Sequence, residues 1–196
     1  RKLSELFDVP AFAIDVPMQQ NEANVKYVAD QLRELAKFLE QQTGKTIDIE
    51  RVKQRVARTK QTMENYDLFQ TKRADKYIPS DLVSPLYAGM TGNILLGTEE
   101  EYQYTQMLLH DVEQAPAAKG KRIYWMHTIP YWSAAVAKQL RFREDAQIVG
   151  CELAHNYPQD LEFDPEQPFE AMAKRMVYHA LNGSIKRRIE TGIYHA

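Results

Sequence analysis

Apolar residues in the first half of the chain recur with helical spacing. From Asn21 to Gln42, Val25, Val28, Leu32, Leu35 and Leu39 keep one face, and Gly44 supplies the stop. A second helix is expected from Asp48 to about Lys72, carrying Val52, Val56, Met63 and Tyr66. Asp48 is placed to cap it, with Glu50 near its positive end. The short link Thr43–Ile47 between the two long helices predicts an antiparallel hairpin. Ahead of them, Leu3–Phe7 reads as the tail of a helix. Val9–Pro17 is extended and reads as the last strand of a preceding α/β domain, entering a connection. Tyr77–Gly97 breaks the helical period with prolines and glycines among apolar residues, the pattern of a packed connection. Thr98-Glu-Glu-Glu101 is a capping box opening a third helix with Tyr102, Leu108, Leu109 and Val112.

The pattern then changes period. Ile123–Met126 and Gln147–Gly150 are short apolar runs, too short for helices, and Ser133–Leu140 between them has helical spacing. Strand, helix and strand with short connections form a βαβ unit, so the two strands are expected to lie parallel with a right-handed crossover. Beyond the second strand, an irregular stretch leads to Pro168. A helix is expected from Phe169 to about Leu181, a break at Asn182-Gly183, and a last helix capped by Ser184 with Ile185, Ile189 and Ile193. The expected architecture is α/β: a helical region, then a partial parallel sheet of Rossmann or flavodoxin-like type with flanking helices. The expected division is residues 1–20 as a connector or the end of a preceding domain, 21–96 as the helical region, and 97–196 as the α/β part.

Ligands of open parallel sheets bind beyond the carboxyl ends of the strands. Here those ends are His127–Trp132 and Cys151–Tyr157, and they hold His127, Tyr131, Trp132, Cys151, Glu152, His155 and Tyr157. Glu152 directly follows a buried strand, where a carboxylate is costly unless it is paired or functional. It either lines the site or pairs with Arg141 or Arg143. His127 is either a site group or a surface histidine. Tyr131 and Trp132 either stack on a ligand or plug onto neighbouring helices, and His155 poses a similar choice. Cys151 reads as a small buried hydrophobe rather than a ligand. His110, His179 and His195 have no partner at metal-ligand spacing, so no metal site is expected within the chain.

Composition narrows the function. The chain has 196 residues, 44% hydrophobic and 27% charged, with a net charge of −2 and no basic stripe, so nucleic acid is not an expected partner. No apolar run reaches membrane-spanning length. One cysteine allows no internal disulfide and cannot alone hold an iron–sulfur cluster. Neither a Gly-rich phosphate loop nor Gly-x-Ser-x-Gly nor His-Glu-x-x-His occurs, so NAD, ATP and acyl-enzyme chemistry lack local support. The chain starts without Met and stops inside a predicted helix, and it reads as a segment of a longer polypeptide.

A series of short motifs in order carries a resemblance. Val9-Pro-Ala-Phe-Ala-Ile-Asp precedes the first long helix, and Leu39-Glu-Gln-Gln-Thr-Gly-Lys precedes the second. Gly97-Thr-Glu-Glu-Glu-Tyr and Lys121-Arg-Ile-Tyr-Trp-Met follow. Asp164-Pro-Glu-Gln-Pro-Phe-Glu-Ala-Met-Ala-Lys-Arg leads to Gly183 and Arg187-Arg188. Nearly the whole chain resembles the D-component family of 2-hydroxyacyl-CoA dehydratases, which includes 2-hydroxyglutaryl-CoA dehydratase and related benzoyl-CoA reductase subunits. The resemblance implies a cytoplasmic subunit of an anaerobic enzyme with a [4Fe–4S] cluster held by three cysteines. It implies an acyl-CoA substrate, a second dehydratase subunit and an ATP-dependent activator that delivers one electron. The reaction implied is dehydration of a 2-hydroxyacyl-CoA to an enoyl-CoA through a ketyl radical anion. The cluster cysteines of the family fall outside these residues. On this reading Glu152 and His127 are the catalytic candidates, and Tyr131, Trp132 and His155 the substrate-binding ones. Two alternatives stand beside it: a non-catalytic partner subunit of the same heterodimer, and a flavodoxin-like binding module without a redox role.

Overall fold

Local caps set the helix boundaries. The computed structural model describes residues 2–83, 92, 94–126, 129–151, 161–179 and 181–195. A short helix α1 (Lys2–Phe7) leads into an extended stretch and then α2 (Glu22–Thr43). The Asn21 side chain accepts from the Asn24 amide at 2.9 Å, and Gly44 closes the helix at φ 66°, its N–H donating to the Glu40 carbonyl. Helix α3 (Ile49–Arg73) starts with the Arg51 amide donating to Asp48 at 3.1 Å. Helix α4 (Glu99–Gln114) opens with the Glu101 amide donating to Thr98 Oγ1 at 3.2 Å. The second half of the expected capping box does not form, because the Thr98 N–H donates to the Leu95 carbonyl instead. No described helix is long and apolar enough to cross a membrane.

The strand-helix-strand unit is present: β1 (Lys121–Trp125), α5 (Ala134–Leu140) and β2 (Ala146–Cys151). The strands pair in parallel from Lys121 opposite Ala146 to Trp125 opposite Cys151, with a register shift between Ile123 and Tyr124. Ile123, Ile148, Cys151, Leu82 and Ile129 pack together, and α5 covers them with Val136, Ala137 and Leu140. Helix α3 meets β2 through side chains. Arg73 donates to the Ile148 carbonyl at 2.9 Å, and the Gln147 amide donates to the Lys76 carbonyl while accepting from the Ile78 N–H. Helices flanking a small parallel sheet agree with the expected α/β class.

The helical hairpin does not form as expected. Among the described residues two further helices follow β2, α6 (Pro168–Val177) and α7 (Ile185–His195), and α6 packs against both long helices. The α2 stripe Val25, Val28, Ala29 and Leu32 is buried against Ala173 and Val177 of α6. Another face of α6 gives Ala171 to Val56 and Met63 of α3. Meanwhile α3 packs mainly on α4. The apolar faces of α2 and α3 are thus satisfied by different partners, and the alanines of α6 let both approach closely.

Two smaller departures have local causes. The extended segment 9–17 is not a strand. Gln31 bonds both backbone groups of Asp15, accepting its N–H at 2.8 Å and donating to its carbonyl at 2.9 Å, while Ile14 and Val16 pack on the α2–α6 core. Helix α6 stops at Val177 rather than near Leu181. Asn182 Nδ2 donates to the Val177 carbonyl at 2.8 Å and to Pro17 at 3.0 Å, which closes the helix end and ties it to the amino-terminal segment.

Candidate substrate-binding face

Because Trp125 stands opposite Cys151, both strands finish at the same level. Met126 emerges half-exposed, and three residues later Ile129 is fully buried, anchoring the chain back onto the sheet. The Tyr131 N–H then donates to the Ile129 carbonyl at 2.8 Å and the Ser133 N–H to Pro130 at 2.9 Å, which turns the chain into α5. Ser133 caps that helix, its Oγ accepting from the Val136 amide at 3.5 Å.

The two aromatics in this turn have different environments. Tyr131 is partly buried and packs against the sheet core. Trp132 is 68% exposed, and its ring meets Tyr131 edge-on at a centroid distance of 5.2 Å. Tyr131 therefore builds the wall, while Trp132 leaves an open aromatic surface beside it. Cys151 is buried in the core cluster, in keeping with its reading as a small buried hydrophobe. His127, Glu152 and His155 lie outside the described residues. Of the two arginines weighed as partners for Glu152, Arg143 pairs with Asp145 and Arg141 lies over the Phe142 ring at 5.1 Å.

Beside β2 lies a polar group that the sequence did not single out. Arg73 is only 7% exposed, at the end of α3. Besides its bond to Ile148, it donates to Gln70 Oε1 at 3.4 Å and stands over the Phe69 ring at 5.6 Å. Burial presses its pKa down, which Tyr66 and Cys151 partly oppose. Gln70 is also 7% exposed, and its Nε2 has no hydrogen-bond partner. Burial drives the Tyr66 phenol well up; the Arg73 charge and the Gln70 amide draw it back. In the sequence Arg73 looks like any cation in a last helical turn, and only the placement of β2 reveals its burial.

Elsewhere, burial raises Asp67 on α3 to about 6, and Glu101 also shifts up by burial. His179 is shifted down by burial, then by Arg175, and its Nδ1 accepts from the Leu181 N–H. A cleft of about 610 Å³ opens at the start of α6, between Lys60, Glu162 and Lys174, away from the strand ends. Among the described residues no group of three His, Cys, Asp or Glu side chains is placed to hold a metal ion.

The fold is that of a helix-rich α/β chain with both strand ends at one level and a buried cation beside them. Its family is more specific: the chain belongs to the 2-hydroxyglutaryl-CoA dehydratase D-component family, whose model matches residues 1–194. That family comprises dehydratase components, so a partner component is implied. No individually curated protein matches the chain.

Proposed function

We propose that this chain is part of an enzyme that dehydrates a 2-hydroxyacyl-CoA to an enoyl-CoA by a ketyl-radical route, and that it supplies part of the substrate-binding wall. The observation that carries this reading is the level finish of the two parallel strands, Trp125 opposite Cys151. Neighbouring strands lie about 4.8 Å apart. Groups that directly follow such paired ends start from neighbouring points: Glu152 is the next residue after β2, and His127 is two residues after β1. We assign Glu152 as the group that positions the substrate or moves its proton, and His127 as a donor to the thioester carbonyl. Trp132 offers its exposed face to the nucleotide or pantetheine part, Tyr131 shields the reacting carbons from water, and His155 is a further substrate contact.

The residues in hand do not fit the iron–sulfur cluster of such an enzyme. A [4Fe–4S] cluster needs several thiolates, whereas the chain has one cysteine, buried against Leu82 and Ile129. On this proposal the cluster is ligated elsewhere in the assembled enzyme, which also includes a second subunit and draws electrons from an ATP-dependent activator. The contribution of these residues is to bind the acyl-CoA, orient its thioester and exclude water.

The test is Glu152→Gln in the intact, anaerobically purified and activated enzyme, followed by enoyl-CoA formation. The swap keeps shape and removes the charge. Turnover is expected to fall by about 10²-fold or more, with an unchanged circular dichroism spectrum. Turnover within twofold of the parent would remove Glu152 from the site.

A further inference from the structure

We propose that Asn182-Gly183 is a site of spontaneous deamidation, gated by the docking of the amino-terminal segment, and that its conversion releases that segment irreversibly. It is the one Asn-Gly pair in the sequence. Asparagine is among the chemically labile residues, above all before glycine, where no Cβ hinders the following amide nitrogen. The Gly183 nitrogen attacks Asn182 Cγ and closes a five-membered succinimide. The Cγ–Nδ2 bond breaks, and Nδ2 leaves as ammonia with the proton given up by Gly183. Water then opens the ring at either carbonyl, giving aspartate or isoaspartate at position 182.

Both members of the pair have a structural reason to be there. Gly183 has φ 108°, a backbone conformation that side chains rarely adopt. Asn182 Nδ2 donates to the Val177 carbonyl at 2.8 Å and to the Pro17 carbonyl at 3.0 Å. Both of its protons are engaged, so ammonia cannot depart until both bonds open. The turn is also held from the amino-terminal side, where Gln20 Nε2 donates to the Asn182 carbonyl at 3.0 Å. The gate is thus the docking of residues 17–20 onto the end of α6. After conversion a carboxylate stands where an amide donated. It has no proton for either carbonyl, and it brings negative charge to the carbonyl end of α6. The isoaspartate form also adds a methylene to the main chain. The tie at Pro17 is lost, and neither product restores it.

The test needs no turnover. The full-length protein is aged at body temperature and mildly alkaline pH, in buffer and in urea, and the peptide spanning position 182 is followed by mass spectrometry. Conversion at 182 is expected in urea, and about tenfold more slowly in buffer, where the gate is closed. Gln20→Ala leaves the pair itself intact and is expected to raise the rate in buffer at least about threefold. Asn182→Asp reproduces the charge change, and its Tm is expected to fall by about 4 °C or more. Phe12, whose ring lies 5.6 Å from Phe38 of α2, reports on the segment. Chymotrypsin is expected to cut after it at least about fivefold faster in Asn182→Asp than in the parent. If that variant does not fold, the aged parent, separated by charge from unconverted protein, carries the same two readings. The proposal is overturned if position 182 does not convert in urea, if it converts as fast in buffer as in urea, or if Gln20→Ala leaves the rate in buffer unchanged. It is also overturned if the carboxylate form keeps the parent's Tm and the parent's rate of cleavage after Phe12.

Discussion

Replacing Gly120 by alanine tests how the two strands are held together. A Cβ at Gly120 would stand 2.2 Å from the Asp145 carbonyl carbon and 2.5 Å from the carbonyl oxygens of Asp145 and Glu144. Ordinary contact begins at 3.4 Å, and the obstructing atoms are backbone, so the start of β1 must move by about 1 Å from the start of β2. Lys121 donates there to the Asp145 carbonyl at 2.8 Å, and that bond is lost in the move. The lost bond costs about 1 kcal/mol and the overpacking about 1–3 kcal/mol, so a loss on the order of 3 kcal/mol is expected. The control is Gly44→Ala: Gly44 has φ 66° and nothing within 4 Å, so only left-handed backbone strain of about 1–2 kcal/mol applies. Urea unfolding separates the two. The chain has two tryptophans, Trp125 in β1 and Trp132 just before α5, so fluorescence reports on the strand-helix-strand unit and far-ultraviolet dichroism on the helices. With a slope of about 2 kcal/mol per molar urea, the Gly120→Ala fluorescence midpoint should fall by about 1.5 M. A fall no larger than that of Gly44→Ala would refute the close-approach argument.

Val28 is fully buried between α2 and α6, and Val28→Ala should cost about 2–3 kcal/mol in the same denaturation assay; a loss under 1 kcal/mol would mean that α6 does not seal that stripe. Asp67, raised by burial to about 6 from 3.8, gives a pH signature. Its unfolded form ionises first, so the cost of burying its charge is absent below pH 3.8, grows up to about 6 and is complete above. Asp67→Asn should therefore add on the order of 2 kcal/mol of stability at pH 7.5 and little at pH 4, and parallel stability curves for parent and variant across that window would contradict it.

What the sequence revealed was mostly what neighbours along the chain decide. Asn21, Gly44, Asp48 and Thr98 satisfy backbone groups within a few residues, so α2, α3 and α4 were legible at their caps. The short apolar runs at Ile123 and Gln147 likewise declared two strands, because little else accommodates runs of that length. What stayed hidden depends on distant partners. Segment 9–17 has the composition of a strand, but a side-chain amide from α2 occupies its backbone. The short link Thr43–Ile47 suggested a hairpin, but a short link does not decide which element covers an apolar face, and periodicity does not either. The site divides in the same way. Strand ends could be read in order, and Cys151, read as a small hydrophobe because one thiolate cannot hold a cluster, is buried. The different fates of Tyr131 and Trp132 follow from the turn set by Ile129, and the burial of Arg73 follows from where β2 lies; neither has a local signature.

The seat of α6 against α2 and α3 sets a timetable for the nascent chain. Helix α2 leaves the ribosome with Val25, Val28, Ala29 and Leu32 ready, but its cover, Ala173 and Val177, is made about 140 residues later. At ordinary rates of synthesis that wait lasts on the order of ten seconds, far longer than a helix needs to form. Throughout it the stripe is bare, and the extended segment bearing Ile14 and Val16 lacks half of its bed. The length of the loop itself adds little, since each doubling costs only about 0.6 kcal/mol. The vulnerable period is therefore kinetic, and a chaperone that shields this stripe until Pro168–Val177 leaves the tunnel would guard the step at which the molecule is most prone to self-association.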